Sequence, residues 1–292
     1  MTSLGALAPA TLIPAQRQQL WGRLAVANFA GGGLGAGFYL AAAVTADFRA
    51  GPSLALASWL GPALVLAGFL AVAAEAGRPL RGPRVLTRIA TSWMSRELWA
   101  GGAFLMLAPG EFLFPGSGQR LLSALAACTL VLAQGFILRS ARAVPAWDPS
   151  IMPVVCLVSA LVSGTGLLTL VEVVAGGTPS GARLFSLLAL ASGAGIVWLG
   201  YVTWHDDTAS LTATRALRQG RAAVEVVLGG YVAPLVLAAI GLAMPEAARA
   251  ASALAGGLMV VGQAQAKALM ILDAGLLRPI TVPHLRLDRR PS

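Results

Sequence analysis

Charge is what this 292-residue sequence has least of: 11% of its residues are Asp, Glu, Lys or Arg, against about 25% in an average soluble domain. With 57% of the residues hydrophobic, it cannot build a water-facing surface around itself, and a soluble fold is excluded. Histidine is nearly missing, with only His205 and His284 present. Transmembrane haems generally need His pairs on facing helices, so no haem is expected. The two cysteines, Cys128 and Cys156, fall inside apolar runs, where a thiol behaves as a small hydrophobe. Neither a disulfide framework nor an iron–sulfur ligand set follows from them. No His, Cys and carboxylate cluster has zinc-ligand spacing, and no metal is expected in this chain. The first twenty residues lack a basic leader followed by a short apolar core, so the first apolar run reads as a retained helix.

What the sequence does have is long apolar runs. A membrane-spanning helix needs about 20 mainly apolar residues. Eight stretches approach that length, at 21–46, 54–76, 97–115, 119–139, 150–175, 182–204, 222–243 and 250–273. Gly51-Pro52, Pro115-Gly116, Pro145, Gly176-Gly177, Gly181 and Pro245 mark the breaks. The expected fold is therefore an all-α integral membrane bundle of about eight transmembrane helices, neighbours running antiparallel. One transmembrane domain over 1–292 is expected, with a short N-terminal segment at 1–20 and a tail at 275–292. Two connections are longer, Arg78 to Arg96 and His205 to Arg221. Loops of that length offer docking surfaces.

The net charge of +9 comes from arginines placed between apolar runs, which is how membrane topology is encoded, and nucleic-acid binding is set aside. If the helices alternate, sixteen arginines share the side of the N-terminus, and only Arg49, Arg120, Arg183 and Arg249 fall on the other. The positive-inside rule then puts both termini and both long loops in the cytoplasm, with the bundle in the cytoplasmic (inner) membrane.

Ionisable residues within apolar runs are expensive, which singles out Glu75, Glu97, Glu111, Glu172, Glu225, Lys267 and Asp273. Glu75 closes the second run and Glu97 opens the third, so antiparallel packing returns both carboxylates to the cytoplasmic half. A partly desolvated carboxylate there suits proton exchange with a quinone head-group; a surface ion pair with a nearby Arg is the competing reading. Lys267 is the only lysine, with Gln263 one turn earlier on the same face. Its amine either meets a ligand oxygen or snorkels to the interface. Gln134 and Asn28 either add hydrogen bonds to a quinone carbonyl or join helices to one another. The first run carries Gly31, Gly32, Gly33, Gly35 and Gly37, which serve close helix packing or a cofactor-facing notch. Arg78, Arg81, Arg84 and Arg88 recur every three or four residues, a cationic face for an acidic partner or for anionic lipid.

The stretch around Gly77, Pro79 and Arg81, followed by Ser92, Ser95 and Glu97, resembles the membrane-anchor subunits of the dimethyl sulfoxide reductase and polysulfide reductase type. Arg142, Val144, Pro145 and Trp147 add a second, shorter likeness. The opening QLWGRLAVANFAGGGLGAGFYLAA is similar to the anchor of phenylacetyl-CoA:acceptor oxidoreductase within that family. The resemblance implies a haem-free anchor, not catalytic on its own, that exchanges electrons between an iron–sulfur partner and menaquinone or ubiquinone. A ferredoxin-like iron–sulfur subunit and a molybdopterin catalytic subunit are the implied partners, and they alone would carry those cofactors. Glu97 matches the family's quinone-site carboxylate. Glu75 stands where the sulfoxide reductase anchor has a histidine, and Lys267 and Gln263 stand where it has Arg and Glu. The expected quinone and proton-transfer residues are thus Glu97, Glu75, Lys267 and Gln263. The expected docking residues are Arg78, Arg81, Arg84, Arg88 and Trp147.

With the basic loop in the cytoplasm, the catalytic partner is expected there too, favouring acyl-CoA thioesters or sulfite over periplasmic sulfoxides. The rival readings are a secondary transporter, for which no internal repeat is evident in the sequence, and a purely structural anchor without a quinone site. A reporter fused to the C-terminus is expected to read out cytoplasmic exposure, and periplasmic exposure would reverse the orientation and the partner's location together.

Overall fold

The computed structural model describes residues 10–45, 52–75, 83–203 and 208–282. Eight long helices run through them: α1 (Arg23–Thr45), α2 (Pro52–Glu75), α3 (Trp93–Gly110), α4 (Ser117–Ser140), α5 (Met152–Val174), α6 (Gly181–Thr203), α7 (Arg221–Ala243) and α8 (Ala248–Asp273). All but α3 are long and apolar enough to cross a membrane, seven in total, and the chain is a multi-pass, all-α membrane protein. Helix α3 has 18 residues, about 27 Å at ~1.5 Å per residue. The third run was expected at 97–115. The helix instead starts earlier, because Ser92 caps it, and stops at Gly110, just past Pro109. Arg96 and Glu97 therefore fall in its first two turns and lower its apolar character.

The helices close into two four-membered circuits. Helix α1 packs on α2, α2 on α3, α3 on α4 and α4 back on α1; α5, α6, α7 and α8 repeat the pattern. The circuits meet where α1 touches α5 and α8 and where α4 touches α5. Helices α1 and α5 are the most buried, at 61% each. This twofold plan was not legible in the sequence, where no repeat is evident.

Lipid offers no hydrophobic drive for helix association, so close approach has to supply the attraction. Glycine makes it possible at the seams. A side chain on Gly37 would strike the Ala160 carbonyl, and one on Gly164 would strike the Gly37 peptide. Gly35 meets the Gly61 carbonyl of α2 in the same way, and a Cβ on Gly166 would lie 2.7 Å from the Gly256 oxygen of α8. Helix α7 widens into a π-turn at Leu228–Val232, and α8 ends in another at Leu269–Asp273.

One face of the bundle gathers the starts of the odd-numbered helices and the ends of the even-numbered ones. There β1 (Ala10–Ile13) pairs antiparallel with β2 (Ile280–Val282), Ala10 opposite Val282, a pairing the sequence reading did not foresee. The ribbon continues through Gln18 N–H to the Gly275 carbonyl at 2.8 Å and Leu277 N–H to the Gln16 carbonyl at 2.7 Å. It ties the segments before α1 and after α8 together on the arginine-rich face.

On the opposite face the described arginines bind neighbouring residues. Arg120 binds Glu111 at 3.0 Å, and Glu111 also accepts the Tyr39 hydroxyl at 2.8 Å. Arg183 grips both oxygens of Glu172, at 2.6 and 3.0 Å, and donates to Thr45 Oγ1 at 3.3 Å. Arg249 donates to the Val173 carbonyl at 3.2 Å.

Substituting Gly37→Val should force α1 and α5 apart, costing about 1–3 kcal/mol or more by overpacking. Gly193→Ala, where a Cβ meets nothing within 4 Å, serves as the control. Thermal unfolding in detergent is expected to drop for the first and stay unchanged for the second.

Candidate functional site

The first turns of α3 position the site. Ser92 lies in the extended region and its hydroxyl accepts the Ser95 N–H at 3.4 Å, an N-cap that starts the helix there. The Ser95 hydroxyl donates back to the Val85 carbonyl. Arg96 reaches the Ile89 and Ala90 carbonyls at 2.9 and 2.7 Å, and Trp99 reaches the Leu86 carbonyl at 3.0 Å. Four carbonyls of the preceding loop are thus satisfied by side chains of α3, and the loop is latched to the helix. The Arg96 guanidinium, 4.1 Å from the Trp93 ring centre, faces away from Glu97.

Glu97 points into the bundle and is 6% exposed. Its Oε1 accepts Asn28 Nδ2 from α1 at 3.2 Å and Gln134 Nε2 from α4 at 3.1 Å. Gln134 Nε2 also lies 3.4 Å from the Asn28 carbonyl. Three helices therefore converge on one carboxylate, and its partners are neutral amides instead of the arginine that a surface ion pair requires. Glycines make room for them: a Cβ on Gly32 would sit 2.6 Å from Gln134 Nε2, and one on Gly68 would sit 3.1 Å from Asn28. Asn28 Oδ1 is buried and finds no hydrogen-bond partner. Four residues before Glu97, one helical turn nearer the arginine-rich face, Trp93 stacks on Phe136 with ring centres 4.2 Å apart. That pair joins Arg139, Ser140, Arg142 and Asp148 in lining a groove of about 600 Å³.

The other expected residues are dispersed. Glu75 Oε1 accepts the Gly22 N–H at 2.6 Å, where a carboxylate satisfies an unpaired amide at the start of α1 and favours its dipole. Lys267 approaches α1 at the position after the Glu97 cluster, its Nζ 2.9 Å from where a Gly33 Cβ would lie. With Gln263 it lines a cavity of about 20 Å³ that Phe29 of α1 and Leu138 of α4 also wall. Ligand pockets run to about 300 Å³ and more, so that space does not admit a quinone ring. Among the described residues, Lys267 and Gln263 make no hydrogen bond to Glu97, Asn28 or Gln134. Trp147, expected on a docking face, is 3% exposed, donates to the Met270 carbonyl at 2.8 Å and stacks on Trp21 at 5.0 Å. Its ring pins the α4–α5 junction to the end of α8 and presents nothing to a partner. Arg88 is exposed. Arg78, Arg81, the Arg84 side chain, Gly77, Pro79, His205 and His284 lie outside the described residues.

The remaining ionisable residues of the apolar runs have counter-charges. Glu111 and Glu172 hold Arg120 and Arg183, Glu225 holds Arg221 at 2.7 Å, and Asp273 holds Arg17 at 3.5 Å. Among the described residues, no ion pair reaches Glu97 or Lys267.

The sequence profile of the DMSO reductase anchor subunit (DmsC) matches residues 53–226, more than half of the chain. The chain belongs to the DMSO reductase anchor subunit family. The DmsC match runs from α2 into α7 and so contains Glu97, Gln134 and Trp147, whereas Asn28, Gln263 and Lys267 lie outside it. The likeness of residues 19–42 to the phenylacetyl-CoA:acceptor oxidoreductase anchor also precedes the DmsC match. No curated protein matches the chain.

Proposed function

We propose that this anchor subunit passes electrons between an iron–sulfur partner and the membrane quinone pool, and that Glu97, Asn28 and Gln134 hold the quinone head-group. The observation that carries the reading is a buried carboxylate bound only by amides, one turn below a groove floored by two aromatic rings. The groove lies within the usual size range for ligand sites, about 300–1,000 Å³, and its wall is aromatic and polar, as an amphiphilic ring requires.

Menaquinone or ubiquinone supplies the two-electron, two-proton redox chemistry when bound. The chain supplies the rest. Gln134 and Asn28 carry the amide N–H groups that a carbonyl oxygen needs, while Asn28 Oδ1 and the carboxylate of Glu97 are acceptors for a hydroxyl. Glu97 is the group able to hold or release a proton there, and its amide partners fix its orientation without neutralising it. Glu75 serves the start of α1 and supports this site indirectly.

The partners are a ferredoxin-like iron–sulfur subunit and a molybdopterin catalytic subunit, as the family implies. They dock on the arginine-rich face, where Arg88 is exposed and the loop carrying it is latched to α3. With that face in the cytoplasm of a cell bounded by this inner membrane, the catalytic partner acts on cytoplasmic substrates of the acyl-CoA or sulfite kind.

Replacing Glu97→Gln keeps the side chain's shape and removes its proton chemistry. Quinone-coupled turnover of the assembled complex is expected to fall at least about a hundredfold, with activity toward a soluble artificial electron acceptor or donor unchanged. Undiminished quinone turnover would remove Glu97 from the quinone site.

A further inference from the structure

The cavity beside Lys267 lies where the two circuits meet, walled by α5, α6, α7 and α8 together with Phe29 of α1 and Leu138 of α4, and Glu97, Asn28 and Gln134 do not line it. Ser159 from α5, Trp198 from α6, Tyr231 from α7, and Gln263 and Lys267 from α8 line it together with Cys156. Tyr231 sits in the π-turn of α7, and Met270 and Ile271, also in the wall, sit in the π-turn of α8. π-Turns inside α-helices occur frequently at functional sites. Gly230 and Gly262 let the two distorted helices meet there.

Three residues of the wall each hold a buried polar atom without a hydrogen-bond partner: Ser159 Oγ, Trp198 Nε1 and Gln263 Nε2. Gln263 lies near the Tyr231 hydroxyl without a bond of normal geometry. Lys267, 6% exposed, makes no ion pair among the described residues, and no carboxylate lines the cavity. An indole N–H and an ammonium only donate hydrogen bonds, and Ser159 and Gln263 add further donors. The wall therefore carries a cation and more donors than acceptors, its acceptors being the Ser159 and Tyr231 hydroxyls and Gln263 Oε1. A particle that only accepts can take bonds from Trp198, Gln263 and Lys267 and also offset the ammonium charge, which water does not. A volume of about 20 Å³ gives room for about one particle of water size or slightly larger.

We propose that this cavity binds a single small monovalent inorganic anion of the halide class, held as the counter-ion of Lys267. The anion allows the chain to keep a lone ammonium deep in the bundle, next to the glycine seam of α1, without a carboxylate partner. Occupancy ties α5, α6, α7 and α8 together at the point where both π-turns loosen the helices.

The test is thermal unfolding of the full chain, purified in detergent with whatever subunits remain bound, in chloride or bromide against gluconate at equal ionic strength and pH. Halides are expected to raise the midpoint saturably by roughly a few degrees, and bromide should quench tryptophan fluorescence over the same concentration range. Trp198→Phe removes one donor and should weaken the halide dependence about fivefold; Lys267→Met should abolish it. Equal stability in halide and gluconate would mean that water fills the cavity, and would overturn the proposal. Halide dependence that persists unchanged in both variants would place the effect elsewhere and overturn it as well. Should Lys267→Met fail to fold, Trp198→Phe alone decides.

Discussion

Helix α1 touches α2, α4, α5 and α8 at once because its central turns carry almost no side chains, and the rest of the bundle depends on that contact. Gly35 and Gly37 bring the backbones of α2 and α5 against it. Gly32 and Gly33, between them and Asn28, leave space for the ends of two long polar side chains, Gln134 and Lys267. Of the readings open to a glycine-rich segment, close packing is realised at Gly35 and Gly37, while Gly32 and Gly33 face the ends of polar side chains. A bulky residue at either pair would separate the two circuits or push a polar group out of its place.

Around this hub the chain neutralises its charges unequally. Of the arginines described on the sparsely charged face, Arg120 and Arg183 are paired with Glu111 and Glu172, and Arg249 donates to a carbonyl. The arginine-rich face keeps Arg88, Arg139 and Arg142 toward the outside. Inside, among the described residues, Glu97 has amide partners only and Lys267 has no ion pair, and Gln134 and Lys267 lie against consecutive positions of α1. An uncompensated ionisable group is expensive in a membrane protein and marks function by default; here one belongs to each circuit.

Helix number and boundaries were legible because apolar runs near 20 residues and Gly/Pro breaks encode them directly, and α3 deviated only where Ser92 and Pro109 overrode the apolar pattern. Glu97 was legible through its charge and through the Ser92-x-x-Ser95-x-Glu97 spacing, whose serines prove to cap α3 and fasten the loop before it. Depth along a helix can be read from sequence, but azimuth around a neighbour cannot, so the contacts of Gln134 with Gly32 and of Lys267 with Gly33 were not legible. Trp147 was misread because a tryptophan beside a loop gives no sign of whether its N–H meets a partner protein or, as here, the Met270 carbonyl. The cavity's wall was invisible for the same reason: Ser159, Trp198 and Tyr231 lie in ordinary apolar helices until tertiary packing turns them toward one another.

The central claim is that this chain is the membrane subunit of a redox complex. The most direct measurement is gentle purification from native membranes, with co-purifying proteins identified by mass spectrometry and the sample assayed for molybdenum or tungsten and for iron. The account expects iron–sulfur and molybdopterin partners in stoichiometric amount, with their metals. A solitary, metal-free protein from membranes in which those partners are present would contradict it.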